Sequence, residues 1–139
     1  MKISAEQLQL ISLLERETGA QAMDVLDSPE SVVFLVKQGD LGKAIGKNGI
    51  SLQTLSRKMG KRVEFVEFNE SLDGFLGNLF KPVQIHEIQK NSALDGGQSI
   101  VLKVDFQNKG LAIGKGGSKI NRARELAKRH FGVSELKIM

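Results

Sequence analysis

Two glycine-rich stretches contain the residues best suited to bind a ligand. The stretch AIGKNG spans residues 44–49 and returns as AIGKGG over residues 112–117, and the two differ only where Asn48 is replaced by Gly116. A four-residue turn with glycine at both ends leaves no side chain to keep a ligand backbone away. The helix expected after each turn offers free N–H groups to phosphate oxygens, and a lysine in each turn adds positive charge. We therefore expect both turns to hold a sugar–phosphate chain without identifying its bases.

Other glycine-rich loops that bind phosphate do not fit this spacing. A Walker A loop needs four residues between its glycines, whereas three separate Gly110 from Gly114, and a glycine follows Lys115 where a hydroxyl is required. Neither GKNGIS nor GKGGSK matches the G-x-G-x-x-G pattern of dinucleotide-binding proteins. A structural alternative is a helix–turn–helix corner in which glycine only permits close packing. The presence of two copies, each with lysine inside the turn, favours contact with nucleic acid.

Positive charge is concentrated around the same two stretches. The chain of 139 residues has a net charge of +4, but residues 38–67 carry +3 and residues 106–139 carry +6. Residues 1–37 carry −3 and residues 68–105 carry −2. Because both basic segments contain a glycine turn, we expect a polyanionic partner, with the larger electrostatic contribution from the second copy.

Caps and apolar spacing predict the same order of elements around each turn, α-β-β-α-α-β. In the first half, Ser4 and Gln7 can form a capping box. The first half is then expected to contain a helix ending near Gly19, strands near 21–26 and 32–37, a short helix from Asp40, a helix ending at Gly60, and a strand over RVEFVEF.

The second half repeats this order with one longer helix. Ser71 can cap a helix with an apolar stripe, and Pro82 ends it. The post-turn helix is four residues longer than in the first copy, which is about one helical turn. The other expected elements are strands near 83–90 and 98–105, a helix from the second turn to Gly132, and a last strand over ELKIM.

The two glycine turns and their element order resemble the KH domain. The KH fold uses a GXXG loop to clamp four nucleotides of a single-stranded backbone. The resemblance implies an α+β fold made of two tandem prokaryotic-type (type II) KH domains, each a three-stranded sheet covered by helices, over residues 1–68 and 69–139. The tandem resembles the KH pair of the NusA family of transcription factors in its short archaeal form. Bacterial members have a polymerase-binding domain and an OB-type domain ahead of this pair, and this sequence begins at the first KH helix.

The resemblance also implies which residues bind RNA. Each clamp consists of the isoleucine, the two glycines and the two residues between them, with a lysine ahead of the loop and a basic helix after the second one. In the first copy these are Lys43, Ile45, Gly46, Lys47, Asn48 and Gly49, and in the second Lys109, Ile113, Gly114, Lys115, Gly116, Gly117, Ser118, Lys119 and Arg122.

The rest of the composition indicates binding and not catalysis. The chain has no cysteine, so a disulfide, a thiolate metal site and a cysteine nucleophile are excluded, and we expect no cofactor and no metal. The two histidines lie far apart, and His130 falls on an apolar helical face, where a core or boundary position is expected. Because the seven phenylalanines occur mostly at strand or amphipathic-helix positions, we expect core packing, no exposed aromatic platform, and an aliphatic groove beside the turns.

These observations predict a non-enzymatic protein that binds single-stranded RNA. The resemblance implies a role on nascent transcripts in termination or antitermination. The alternatives are a ribosome-associated RNA-binding factor and a protein–protein adaptor, which leaves RNA polymerase and the ribosomal machinery as alternative protein partners. The longest uninterrupted apolar run, residues 32–36, is too short to span a membrane, and no signal peptide begins the chain, so a cytoplasmic location without a membrane partner is expected.

Overall fold

Within residues 4–139, each half of the chain builds its own three-stranded sheet, and each of the six strands is six residues long. The structure is a computed structural model that describes residues 4–139. Contacts divide the chain into two units, the first ending at Glu70 and the second comprising Ser71–Met139. The protein is therefore an α+β protein with two three-stranded sheets and their helices. No helix within residues 4–139 is long and apolar enough to cross a membrane.

The first unit follows the predicted order of elements. Strand β2 is central, antiparallel to β1 and parallel to β3, and its residues 32–36 are all buried. The capping box is confirmed, because the Ser4 N–H donates to Gln7 Oε1 at 2.9 Å and the Gln7 N–H donates to Ser4 Oγ at 3.1 Å. The elements are α1 (Ala5–Thr18), β1 (Ala22–Asp27), β2 (Ser31–Val36), α2 (Leu41–Ile45), α3 (Ile50–Met59) and β3 (Arg62–Glu67).

The second unit has the same order and the same strand directions. Strand β5 is central, antiparallel to β4 and parallel to β6. Ser71 caps α4 by accepting a hydrogen bond from the Gly74 N–H at 3.0 Å, and Phe75 of α4 packs against Phe131 of α6 with ring centroids 5.2 Å apart. The elements are α4 (Leu72–Phe80), β4 (Glu87–Ser92), β5 (Gln98–Lys103), α5 (Lys109–Ile113), α6 (Ser118–Phe131) and β6 (Val133–Ile138).

Two predicted strands have different bounds in the structure. The strand expected near 83–90 begins only at Glu87, because the Val83 N–H bonds back to the Phe80 carbonyl at 2.8 Å and closes a turn after α4. The strand expected to reach residue 105 ends at Lys103, and a single 3₁₀ turn, Phe106–Asn108, follows it. Phe106 therefore starts a turn and does not extend the sheet.

Candidate functional site

The two glycine turns have the same backbone conformation. The first glycine of each turn has φ 77° and ψ 170° at Gly46, and φ 79° and ψ 168° at Gly114. The last glycine has φ 76° and ψ 15° at Gly49, and φ 80° and ψ 13° at Gly117. In both turns the last glycine donates its N–H to the carbonyl of the first at 3.1 Å. The repeated sequence therefore builds one turn twice.

The first glycine of each turn is required for two independent reasons. Its positive φ combined with extended ψ is a conformation that residues with a side chain adopt only under strain. A Cβ on Gly46 would also lie 2.9 Å from the Ser51 backbone nitrogen, and one on Gly114 would lie 2.8 Å from the Lys119 backbone nitrogen. The following helix consequently begins directly against the turn.

The middle of the turn tolerates the one difference between the copies. Asn48 has φ 55° and ψ 27°, and Gly116 has φ 62° and ψ 20°. Asparagine is one of the few residues with a side chain that visits this left-handed region readily. Asn48 is the single non-glycine residue with positive φ within residues 4–139. The substitution thus leaves the shape of the turn unchanged and adds an exposed amide to it.

Both turns place a positive charge at the start of a helix. Lys47 and Lys115 are exposed at the tips. Gly49 and Gly117 are the N-caps of α3 and α6, and neither helix has a side-chain capping hydrogen bond. The first N–H of each helix, at Ile50 and Ser118, donates to the carbonyl of the turn lysine. The positive end of each helix dipole lies at the turn, which favours an anionic ligand there.

The other predicted cations have different surroundings. Lys43 is mostly exposed and lies 3.9 Å from the Asp40 carboxylate, a long and weak ion pair. The Lys109 ammonium lies 5.6 Å from the centre of the Phe106 ring. Lys119 donates to the Lys81 carbonyl at the end of α4, and Arg122 is half-buried. Lys47, Lys43 and Lys115 are therefore the predicted cations most available to a ligand, whereas Lys119 is already engaged within its own unit.

A cleft of about 330 Å³ lies between α6 and β6 in the second unit. Asn121 links it to the turn, because its Nδ2 lies 3.3 Å from where a Cβ on Gly117 would be. Arg124 crosses the cleft, donating from Nε to the Leu136 carbonyl at 3.0 Å and from Nη1 to Asn121 Oδ1 at 3.3 Å. The lining residues are Asn121, Arg124, Glu125, Lys128, Val133, Ser134, Glu135, Leu136 and Lys137.

The aliphatic groove expected beside the turns stays a prediction, and this cleft combines Val133 and Leu136 of β6 with polar residues of α6. Its helical wall is polar because Asn121, Arg124, Glu125 and Lys128 repeat at the i, i+3, i+4, i+7 spacing that places side chains on one face. That spacing was readable in the sequence and identifies cleft residues that the turn motif alone does not. The helical wall of the cleft therefore carries hydrogen-bonding side chains.

Phe106 departs from the expectation that the phenylalanines mostly pack in the core. Phe34, Phe75 and Phe80 are buried, as expected for core residues. Phe106 is 84% exposed at the start of the 3₁₀ turn that leads into α5. The ring lies three residues beyond Lys103, the last residue of β5.

The histidines lie outside the turns. His130 is half-buried, and its ring is edge-on to Phe75 with centroids 6.4 Å apart, which is a boundary position as expected. His86 Nε2 lies 2.8 Å from Asp105 Oδ1 on the surface.

Comparison with known proteins gives a consistent set of relatives. The chain is 34% identical over its full length to a protein of Methanococcus vannielii named probable transcription termination protein NusA, covering 80% of it. It is 33% identical to a protein of the same name from Halobacterium salinarum, with 99% of this chain and 98% of the relative covered. A crystal structure of APE1850 matches with a TM-score of 0.85 and 35% identity over 99% of this chain and all of that one. No protein-family model matches.

Proposed function

The chain belongs to the family of short archaeal NusA proteins, and from this premise we propose that it is a single-stranded RNA-binding factor acting on nascent transcripts. The observation that supports this most directly is the repeated turn, which has the same backbone angles in both copies and an exposed lysine at each tip. The shared features of the two sites are backbone shape and positive charge. The proposed role is therefore binding and not catalysis.

We further propose that the two units are type II KH domains covering residues 1–68 and 69–139. The order α-β-β-α-α-β in both units supports this, with the GXXG turn between the fourth and fifth elements each time. The division of the structure after Glu70 lies two residues from the proposed boundary. In each unit the turn connects two helices that flank it directly, as a clamp for a nucleotide backbone requires.

The proposed site combines a clamp with a reading surface. The clamp residues are those predicted from the motif, with Lys47 and Lys115 as the principal phosphate contacts. In the second copy the clamp continues into the cleft, where Asn121 offers an amide beside Gly117. Phosphate contacts set the position of the strand, and base-edge contacts in the cleft supply whatever sequence preference exists. The proposed action on termination or antitermination follows from the family and from this RNA-binding surface together.

Charge reversal in the turns tests the proposal. We expect Lys115→Asp with Gly116→Asp to abolish RNA binding through the second turn, and Lys47→Asp with Asn48→Asp to do so through the first. The fold should be retained, because a Cβ at Gly116 meets nothing within 4 Å, and aspartate, like the Asn48 already present in the first turn, adopts this left-handed conformation more readily than most residues do. Binding of a fluorescent single-stranded RNA is measured by anisotropy, with circular dichroism to check the fold.

A matched control separates the turns from general loss of positive charge. The control is Lys37→Asp with Gln84→Asp, two exposed positions outside the turns. It changes the net charge by −3, the same change as in each of the two turn variants. This control should lower affinity much less than either turn variant. Equal losses in all three variants would contradict the clamp, and equal affinity for single-stranded and duplex RNA would indicate a plain basic surface.

A further inference from the structure

Phe106 is exposed on the approach to the second glycine turn. The ring is 84% exposed and starts the 3₁₀ turn Phe106–Asn108, which runs directly into α5 and then Gly114. A single exposed apolar residue on a surface needs no special explanation. The position of Phe106 does call for an explanation, because the residue lies in the segment 106–139, which carries a net charge of +6.

Phe106 and Lys109 form a pair that suits a nucleotide. The Lys109 ammonium lies 5.6 Å from the ring centre, which is within the range of a cation–π contact. Ile113, 39% exposed, follows at i+7 and precedes Gly114. With a rise of about 2.0 Å per residue in the 3₁₀ turn and about 1.5 Å in α5, the Phe106 backbone lies within roughly 14 Å of the glycine turn. A flat apolar face, an ammonium group and the clamp therefore follow one another along the 3₁₀ turn and the short helix α5.

The first copy has no equivalent pair. With the turns aligned, Gln38 stands in the place of Phe106, and Leu41 stands in the place of Lys109. Gln38 is engaged in its own unit, where its Oε1 accepts a hydrogen bond from the Glu70 N–H at 3.3 Å. Leu41 is half-buried. The aromatic–lysine pair is therefore a difference between the two sites and not a general property of the turn.

We propose that Phe106 and Lys109 form a base-stacking subsite that holds one unpaired nucleobase next to the nucleotides clamped by the second turn. The base stacks on the Phe106 ring, and Lys109 contacts the adjoining phosphate. This inference rests on the proposed RNA-binding function. An RNA strand fits the surface better than an apolar protein segment does, because the ring has an ammonium beside it and lies in the most basic segment of the chain. Purines should be preferred, since stacking strength is the source of preference at such platforms.

The test uses the full chain and a single-stranded oligoadenylate of about twelve nucleotides carrying 2-aminopurine at one position. We expect Phe106→Ala to weaken binding about 5- to 150-fold, the range found when an aromatic platform is removed. Phe106→Trp should retain affinity, whereas Phe106→Leu should behave like Phe106→Ala, because leucine is apolar but cannot stack. Leu94→Ala is the matched control, since Leu94 is fully exposed on the turn between β4 and β5. At one labelled position, binding of the wild type should quench the fluorescence of 2-aminopurine. Binding of Phe106→Ala should leave that fluorescence unchanged.

Salt dependence separates the two members of the pair. Stacking releases no counterions, so Phe106→Ala should weaken binding by the same factor at every salt concentration. Lys109→Ala should lower the slope of log affinity against log salt by about 0.7, the value for one phosphate contact on a single strand. A changed slope in Phe106→Ala would contradict stacking.

The outcomes distinguish this inference from the function on which it rests. If the wild type does not bind the oligonucleotide, both the RNA-binding function and the subsite are wrong. If the wild type binds and Phe106→Ala matches Leu94→Ala, the subsite is wrong and the RNA-binding function stands. Full affinity in Phe106→Leu would likewise overturn stacking, because it would show that any apolar side chain is sufficient.

Discussion

Asn48 and Gly116 occupy the same left-handed backbone conformation in two separately built turns, differing by 7° in φ (55° against 62°) and 7° in ψ (27° against 20°). One has an exposed amide side chain and the other has none. The shape of the turn is therefore set by the flanking glycines and the helices, whereas its middle position is free to differ.

This relationship predicts different outcomes for two substitutions at Asn48. Asn48→Gly should change the free energy of unfolding by less than about 1 kcal/mol, because glycine relieves the strained φ but also gains freedom in the unfolded chain. Asn48→Val should destabilise by about 1–3 kcal/mol, since a β-branched residue fits this region poorly. Urea unfolding followed by circular dichroism measures both. Lys47→Val, at a neighbouring position without positive φ, is the control and should cost less than Asn48→Val.

The glycines of the turn should differ in their tolerance of alanine. Gly49→Ala should cost about 1–2 kcal/mol, the penalty of a left-handed residue, because its Cβ would meet nothing within 4 Å. Gly46→Ala should cost more, since the new Cβ would also press on the Ser51 backbone. Gly42→Ala is the control: Gly42 lies within α2 with open space around it, so alanine should stabilise by about 0.5–1 kcal/mol. A Gly46→Ala protein as stable as Gly49→Ala would show that the helix can move away from the turn.

Clamp and cleft should affect RNA binding in different ways. Lys115→Ala should lower affinity for all single-stranded sequences alike and reduce the salt slope by about 0.7, because it removes one phosphate-binding ammonium group. Asn121→Ala should leave the salt slope unchanged and reduce discrimination between bases, because its amide lies in the cleft beside Gly117. Titrations of four homopolymeric RNAs at several salt concentrations measure both effects. If the two variants had the same salt slope, phosphate and base contacts would not be divided in this way.

The turn between β4 and β5 should make the second unit's stability depend on acid pH. The Asp95 carboxylate accepts hydrogen bonds from the Gly97 N–H at 3.0 Å and the Ser134 hydroxyl at 2.8 Å, and these bonds lower its pKa. A carboxyl group with a lowered pKa in the folded state stabilises it above the unfolded pKa of about 3.9, and this contribution is lost as pH falls through the folded pKa.

Asp95→Asn should therefore unfold at lower urea than the wild type at pH 7, and the difference should shrink as pH falls below about 4. Ser134→Ala removes one of the two donors and should show a smaller effect of the same sign, since the Gly97 N–H remains. Unfolding midpoints at a series of pH values test this. A difference that is constant from pH 7 to pH 2 would mean that ionisation of Asp95 does not stabilise the fold.

Local signals in the sequence predicted most of the elements. The capping box at Ser4, the left-handed glycines that end α1, α3 and α6, and the extra helical turn before Gly132 all depend on neighbouring residues, and each is confirmed. The start of β4 depends on which backbone groups find partners after Pro82, which a pattern of apolar residues does not reveal. The exposure of Phe106 and the cleft between α6 and β6 both depend on how elements distant in the sequence approach each other. Both are tertiary properties.

The extra turn of α6 limits how the two units can recombine. Helix α4 has nine residues where α1 has fourteen, and α6 has fourteen where α3 has ten. The additional length carries Phe131, which packs against Phe75 of the shorter α4. In a chimera that received α3 in place of α6, Phe75 would have no Phe131 to pack against and the chain would reach its last strand one turn early. The glycine turns can therefore be exchanged between the two units. The first helix of a unit, α1 or α4, can be exchanged only together with the helix that follows its turn, α3 or α6, because the lengths of the two helices match.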